Sequence, residues 1–304
     1  MVIFMAGSTV ALPTGLGGLE LVDHEQYPAL IEGAGIEMLA DVLAENIGDG
    51  GLAIRDLVRV PMPAAGSTTW EVPNRLTGES DTTRELVVTL SYWQAARVYW
   101  IPTEDGSLTG EPPDCSSPDG KVPIPDGLYG PEGANSHLNP KGKCSTCPLS
   151  KFGTSQKGGG RAPACAERRL LFVNRAGDLL PMLVSAPPTS LDPLKAFMIE
   201  LSMRYQAHYS SFVLGLSLTK QEKNGQKFAT LTPRLIGVLE GAQSRAKGWA
   251  VPGSPAARAL EFSKGFEKLL SDQAVLDLAT GQAREGDGDD GLGGDFADHG
   301  ADGP

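Results

Sequence analysis

Hydrophobic and polar positions follow two rhythms along the chain. Between 29 and 48, Leu30, Ile31, Ile36, Leu39, Leu43 and Ile47 have helical spacing and predict an acidic amphipathic helix. Short strand-like pieces follow at 52–60 and 67–72. From 84 to 101 the run RELVVTLSYWQAARVYWI is rich in β-branched and aromatic residues and predicts one long or bent strand. Two further strands are expected at 168–175 (RRLLFVNR) and 179–186 (LLPMLVSA), joined by a Gly-Asp turn. Ser190 has the features of an N-cap, with Asp192 and Pro193 in the first turn of a helix running to about Tyr205. Its apolar residues Leu194, Phe197, Met198 and Leu201 fall on one face. Strands at 210–219 and 227–239 flank Asn224-Gly225, a strong hairpin signal. A last helix is expected over 254–272.

The order strand, insertion, strand, strand, helix, strand, strand predicts a mainly β, α+β fold. It is the order of an OB-fold, a five-stranded Greek-key barrel with its helix between strands three and four. The alternative is another small α+β sheet. The insertion, residues 103–166, lies between strands one and two, where this fold has one of its oligonucleotide-gripping loops. It holds much of the Gly and Pro and all of the Cys. So long a stretch without regular structure needs something to organise it. The expected organisation is an acidic region over 1–82 with its helix near 29–48, an OB-like domain over 83–240, a helical segment over 241–284 and a disordered acidic tail over 285–304.

Composition adds compartment and charge. The chain has 304 residues, 40% of them apolar, enough for a substantial core. No apolar run reaches the roughly 20 residues of a membrane span. The first apolar stretch has no preceding Lys or Arg, so it reads as mature chain rather than secretory signal. The expected location is cytoplasmic, where thiols are more often ligands than disulfides. The net charge of −11 is uneven: residues 141–175 carry eight Lys/Arg against Glu167 alone, while 285–304 carry seven acids and no Lys or Arg.

The four cysteines, Cys115, Cys144, Cys147 and Cys165, follow the spacing C-x28-C-x2-C-x17-C. A C-x-x-C turn lets two thiolates reach one ion about 2.3 Å from each sulfur. A thioredoxin-like pair would need a helix start after a strand, which KCSTCP lacks, and two disulfides would suit a secreted chain. The expected cofactor is one structural Zn2+ per chain, since four thiolates leave no open position for catalysis. Cys115 is the least constrained ligand, and His137 is its candidate substitute.

Lys141, Lys143, Lys151, Lys157, Arg161, Arg168, Arg169 and Arg175 surround the cysteines, and Gly158, Gly159 and Gly160 allow close backbone approach. Such a cluster suits a phosphate backbone; the plainer reading is a solvated loop. Aromatics that could stack on bases are Trp93 and Trp100 on the long strand and Phe152 in the loop. Core packing competes for each, least for Phe152, which sits between Lys151 and Gly153. A P-loop is absent, and His24, His137, His208 and His299 are scattered without a dense Asp/Glu/His constellation, so an enzyme is not expected.

The segments CSSPDGKVP, KCSTCPLSKFGTSQKGGGRAPACAERRLLFV and LPMLVSAPPTSLDPLKAFM resemble tailed-bacteriophage single-stranded DNA-binding proteins of the helix-destabilising type. The similarity covers about residues 84–240. It implies a zinc-bearing OB-fold with Cys115, Cys144, Cys147 and Cys165 as ligands, and an acidic tail. The expected function is sequence-independent binding of single-stranded DNA in phage replication or recombination, with replication or recombination proteins as possible partners of the tail and no membrane role. The alternative is a zinc-stapled protein-interaction scaffold that does not touch nucleic acid.

Overall fold

Alternation along a single strand explains the layering. The computed structural model describes residues 16, 19–27, 30, 36–47, 56–63, 66–74, 77–101, 113–155, 162–223 and 226–271. The elements, in order, are α1 (Ile36–Ile47), β1 (Arg59–Val60), β2 (Trp70–Pro73), β3 (Ser80–Thr83), β4 (Glu85–Tyr99), β5 (Cys115–Ser117), β6 (Ala166–Arg175), β7 (Met182–Ala186), α2 (Pro188–Tyr205), β8 (Phe212–Lys223), β9 (Gln226–Val238) and α3 (Pro255–Ser271). In β6, Leu171 and Val173 enter one core, while Leu170 and Phe172 enter a second core on the opposite face. Both faces are covered, which is why RRLLFVNR reads as a continuous apolar run.

The first core also takes Val88, Val184, Leu214 and Leu231 from the sheet, Leu194, Met198 and Leu201 from α2, and Trp70 from β2. Trp70 is fully buried, and its indole N–H donates to the Leu216 carbonyl over 2.8 Å. The second core joins Phe172 to Phe262 and Phe266 of α3 and to Leu39 of α1. The Phe172 and Phe266 rings meet edge-on at 5.5 Å. Each buried Phe contributes about 1.5–3 kcal/mol.

Strand order in the main sheet is β1-β7-β6-β4-β8-β9, with β5 added to β4. Neighbours are antiparallel except β1 and β7. Strands β4, β6 and β7 follow one another, and β8 returns through α2 to lie beside β4, which is a Greek key. Among the described residues the sheet curls into a half-barrel with three α-helices, a mainly β, α+β architecture. Its edges are managed separately. Strand β1 lies along β7, while β9 meets residues 20–22 through the Val22 and Val238 N–H groups and donates a hydrogen bond to α2.

That last bond corrects one expectation. The cap position of α2 is Pro187, not Ser190. Ser190 lies inside the helix, fully buried, and its hydroxyl accepts from the Leu231 N–H of β9 over 2.9 Å. The strand-like piece expected at 67–72 corresponds to β2, while its partner β3 and strand β5 are additions. The expected helix over 29–48 is found over Ile36–Ile47; residues 31–35, like the tail over 285–304, lie outside the described residues. Strands β8 and β9 pair in register up to Lys223 and Gln226, either side of Asn224-Gly225. Among the described residues no helix is long and apolar enough to cross a membrane.

Candidate functional site

The cysteine-bearing segment is tied together by local hydrogen bonds rather than by regular structure. Cys115 opens β5 and pairs with Tyr99 at the end of β4, so a strand ladder fixes the cysteine that spacing constrains least. The chain then turns on Asp119, whose carboxylate accepts from the Lys121 and Val122 N–H groups and the Ser117 hydroxyl. Burial pushes that carboxyl up, but these bonds outweigh it and hold it below the ordinary Asp range. The Lys121 carbonyl accepts from the Cys144 N–H over 2.8 Å, which brings the C-x-x-C turn beside β5. The Cys147 N–H closes that turn onto Lys143 and Cys144, and the Cys165 N–H reaches the Leu149 carbonyl over 2.9 Å. Asn139, buried, donates to the Tyr129 carbonyl and accepts from the Thr146 hydroxyl.

All four thiols are buried, at 5–8% exposure, and unpaired as disulfides. They line one cavity of about 10 Å³, room for one water-sized body. Arg97, Ser117, Tyr129 and Asn139 are among the other residues of its wall. Burial pushes the Cys115 thiol up to about 11, Cys165 up to about 12, and Cys144 upward as well. As placed, no three His, Cys, Asp or Glu side chains among the described residues form a set that could hold a metal ion. His137 is exposed on a 3-10 turn and does not line the cavity.

Arg97 escaped the reading of the sequence. Its guanidinium donates to the Glu167 carboxylate over 2.7 Å while lying on the cavity wall. The available signal was strand parity: Arg97 and Tyr99 share a face of β4 and pair with Ser117 and Cys115.

The candidate nucleic-acid residues divide into two groups. Lys141, Lys143 and Lys151 are exposed, and Phe152 is 79% exposed directly after Lys151. These four surround the C-x-x-C turn. Lys157 and Arg161 lie outside the described residues. The β6 arginines are placed differently from the expected phosphate-tracking row. Arg168 is buried at 7% exposure. Arg169 lies over the Trp93 ring at 5.6 Å and 3.5 Å from Glu167. Arg175 sits at the far end of β6, ion-paired with Asp81 and Asp178 at 3.2 Å each. Trp93 is half-buried against the first core, and Trp100 is half-buried just past β4. A continuous apolar strand carries its flanking cations inward or into cross-strand pairs, which sequence adjacency to the cysteines does not reveal.

No family model matches the chain, and no curated protein or solved structure matches it.

Proposed function

We propose that the chain binds single-stranded DNA without sequence preference, on an OB-like sheet whose loop between strands one and two is stapled by zinc. The observation that carries this reading is the juxtaposition of a four-thiol cavity with an exposed Lys151-Phe152 pair one turn away. A rigid loop that offers a lysine to phosphate and a ring to a base matches the needs of single-strand binding. The strand order supports the OB assignment. With β4, β6, β7, β8 and β9 as strands one to five, the first strand has the second and the fourth as neighbours. The parallel partner of the third strand is β1, so this barrel is open on that side.

The donor chemistry suits zinc, although as placed the thiols do not form a coordinating set. Four buried thiols line one cavity of about 10 Å³, and Arg97 on its wall, which also pairs with Glu167, would offset part of the charge of a tetrathiolate. Bound zinc would supply a closed structural crosslink. The protein's own residues would do the rest: Lys141, Lys143 and Lys151 track the phosphates, and Phe152 stacks on a base. The phage replication or recombination role and a partner for the acidic tail rest on the sequence resemblance.

Anisotropy of a labelled oligo-dT at low salt tests the proposal. Binding that is tighter than to duplex, and weakened roughly 5- to 150-fold by Phe152→Ala, is the expected result. Absence of binding at low salt would refute it. The interaction-scaffold reading is favoured by one observation, the internal pairing of Arg169 and Arg175, which removes two cations from service to DNA. It predicts a protein partner whose binding survives charge reversal of Lys151.

A further inference from the structure

Among the described residues two that are not glycine adopt left-handed backbone, Gln206 at φ 53° and Trp249 at φ 75°. Both line the same solvent-open cavity, of about 270 Å³, with Ser202, Ala207 and Arg245. Gln206 is accounted for by helix termination: it caps α2, and its N–H donates to the Ser202 carbonyl. Trp249 has no such account. Left-handed backbone is strained for a bulky residue, and the neighbouring Gly248, at φ 89°, already supplies a left-handed turn. The strain is held by two backbone bonds, from the Gln243 N–H to the Trp249 carbonyl over 2.7 Å and from the Trp249 N–H to the Ser244 carbonyl over 3.2 Å. Its effect is to present an indole beside an arginine at a cavity mouth. Arg245 is exposed, stands 6.0 Å over the Trp249 ring, and makes no ion pair with a described residue. The His208 ring meets the Trp249 ring edge-on at 5.7 Å and buttresses it.

We infer that this pocket seats one nucleotide of a bound strand, its base against Trp249 and its phosphate on Arg245. The inference deepens the proposed single-strand binding and rests on it for the identity of the strand. Three features favour a nucleotide over a purely apolar or purely anionic ligand. An aromatic face and a guanidinium together match a flat, polarizable ring that carries a charge. The Gln206 amide and Ser202 hydroxyl offer donors and acceptors to any base edge, which suits a sequence-tolerant site. The carboxyl end of α2 repels anions, so the phosphate is directed to the Arg245 side and the base to the helix end. The pocket lies just before β8 begins and after β9 ends, at the end of the sheet toward which β4 runs, and the cysteine segment follows β4.

Two titrations of the full chain test this. In the first, tryptophan fluorescence is followed as thymidine 5′-monophosphate is added. Quenching is expected in the natural protein, its loss in Trp249→Phe, and on the order of tenfold weaker binding in Arg245→Ala. Arg245 is exposed, so its variant should melt as the natural protein does; it keeps the test valid should the tryptophan variant unfold. In the second, anisotropy with oligo-dT should show weakening of similar size in both variants. Oligo-dT binding that is equal in the natural protein and both variants, with no quenching by the mononucleotide, would overturn the pocket and leave strand binding standing. Quenching that persists in Trp249→Phe would also overturn it. Mononucleotide quenching through Trp249 without any oligo-dT binding would uphold a nucleotide pocket and refute the strand reading.

Discussion

Replacing Lys141, Lys143 and Lys151 together by Gln should flatten the salt dependence of single-strand binding by a calculable amount. All three are exposed, and none makes an ion pair with a described residue. Each phosphate contact on a single strand contributes roughly 0.7 to the slope of log affinity against log salt, so three contribute about 2. Between 50 and 200 mM salt, those three contacts account for a loss of about 18-fold. The triple variant should therefore bind weakly at low salt and lose correspondingly less on the way up. Its fold should be untouched, since exposed substitutions away from caps and ion pairs stay within about 0.5 kcal/mol. Arg175→Gln is the matched control. Arg175 is held by Asp81 and Asp178, so its loss should leave the slope unchanged although the net charge falls by one. The assay is anisotropy of a labelled oligo-dT over a salt series. A triple variant with the natural slope would refute the assignment of phosphate contacts to the cysteine loop. So would an Arg175 variant whose slope falls as much as that of a single lysine variant.

Ser190→Ala should cost about 1–3 kcal/mol in urea unfolding, because it leaves the Leu231 N–H unpaired in the core. Ser190→Asp should cost more, whereas a true N-cap would tolerate Asp as well as Ser. Gly133→Ala would drive a Cβ into the Gly127 and Leu128 carbonyl oxygens, so proteolysis of the segment over 113–155 should accelerate while the core keeps its melting transition. Arg234 clamps Glu85 with two bonds of 2.6 Å and holds its carboxyl below the ordinary Glu range. The stability so gained is present above the unfolded pKa of about 4.3 and disappears as pH falls through the lower folded value. Glu85→Gln should thus be less stable than the natural protein at pH 7 by up to about 1 kcal/mol, and the gap should close on acidification in pH-dependent denaturant unfolding.

Strong periodicity made the long elements legible. Strand β4, expected over 84–101, spans Glu85–Tyr99, and α3, expected over 254–272, spans Pro255–Ser271. The order of elements around α2 gave the Greek key, because a helix between antiparallel strands forces the returning strand to a new neighbour. The nearness of Cys144 and Cys147 followed from their spacing, whereas Cys115 is placed by its pairing with Tyr99. What escaped depends on pairing at a distance. The extent of the piece expected at 52–60 is one such feature: among the described residues it is a strand only over Arg59–Val60, paired with β7. The three-residue β5 exists only through β4. Ser190 has the local sequence of a cap, but burial against β9 gives its hydroxyl another donor. Arg168 looks basic and accessible in one dimension, while strand alternation turns it inward. Trp249 and Arg245 carried no motif, since their pocket arises where the α2 terminus meets the turn after β9, through the Arg245 N–H bond to the Gln206 carbonyl.

Whether a zinc-stapled cysteine loop grips single-stranded DNA is decided by oligo-dT anisotropy before and after removal of metal by a chelator, with metal content measured on the same samples. One zinc per chain is expected at the start, and chelation should abolish most of the binding while the β-sheet circular dichroism persists. A protein that contains no zinc, or that binds the oligonucleotide equally well after losing it, would refute a zinc-dependent grip.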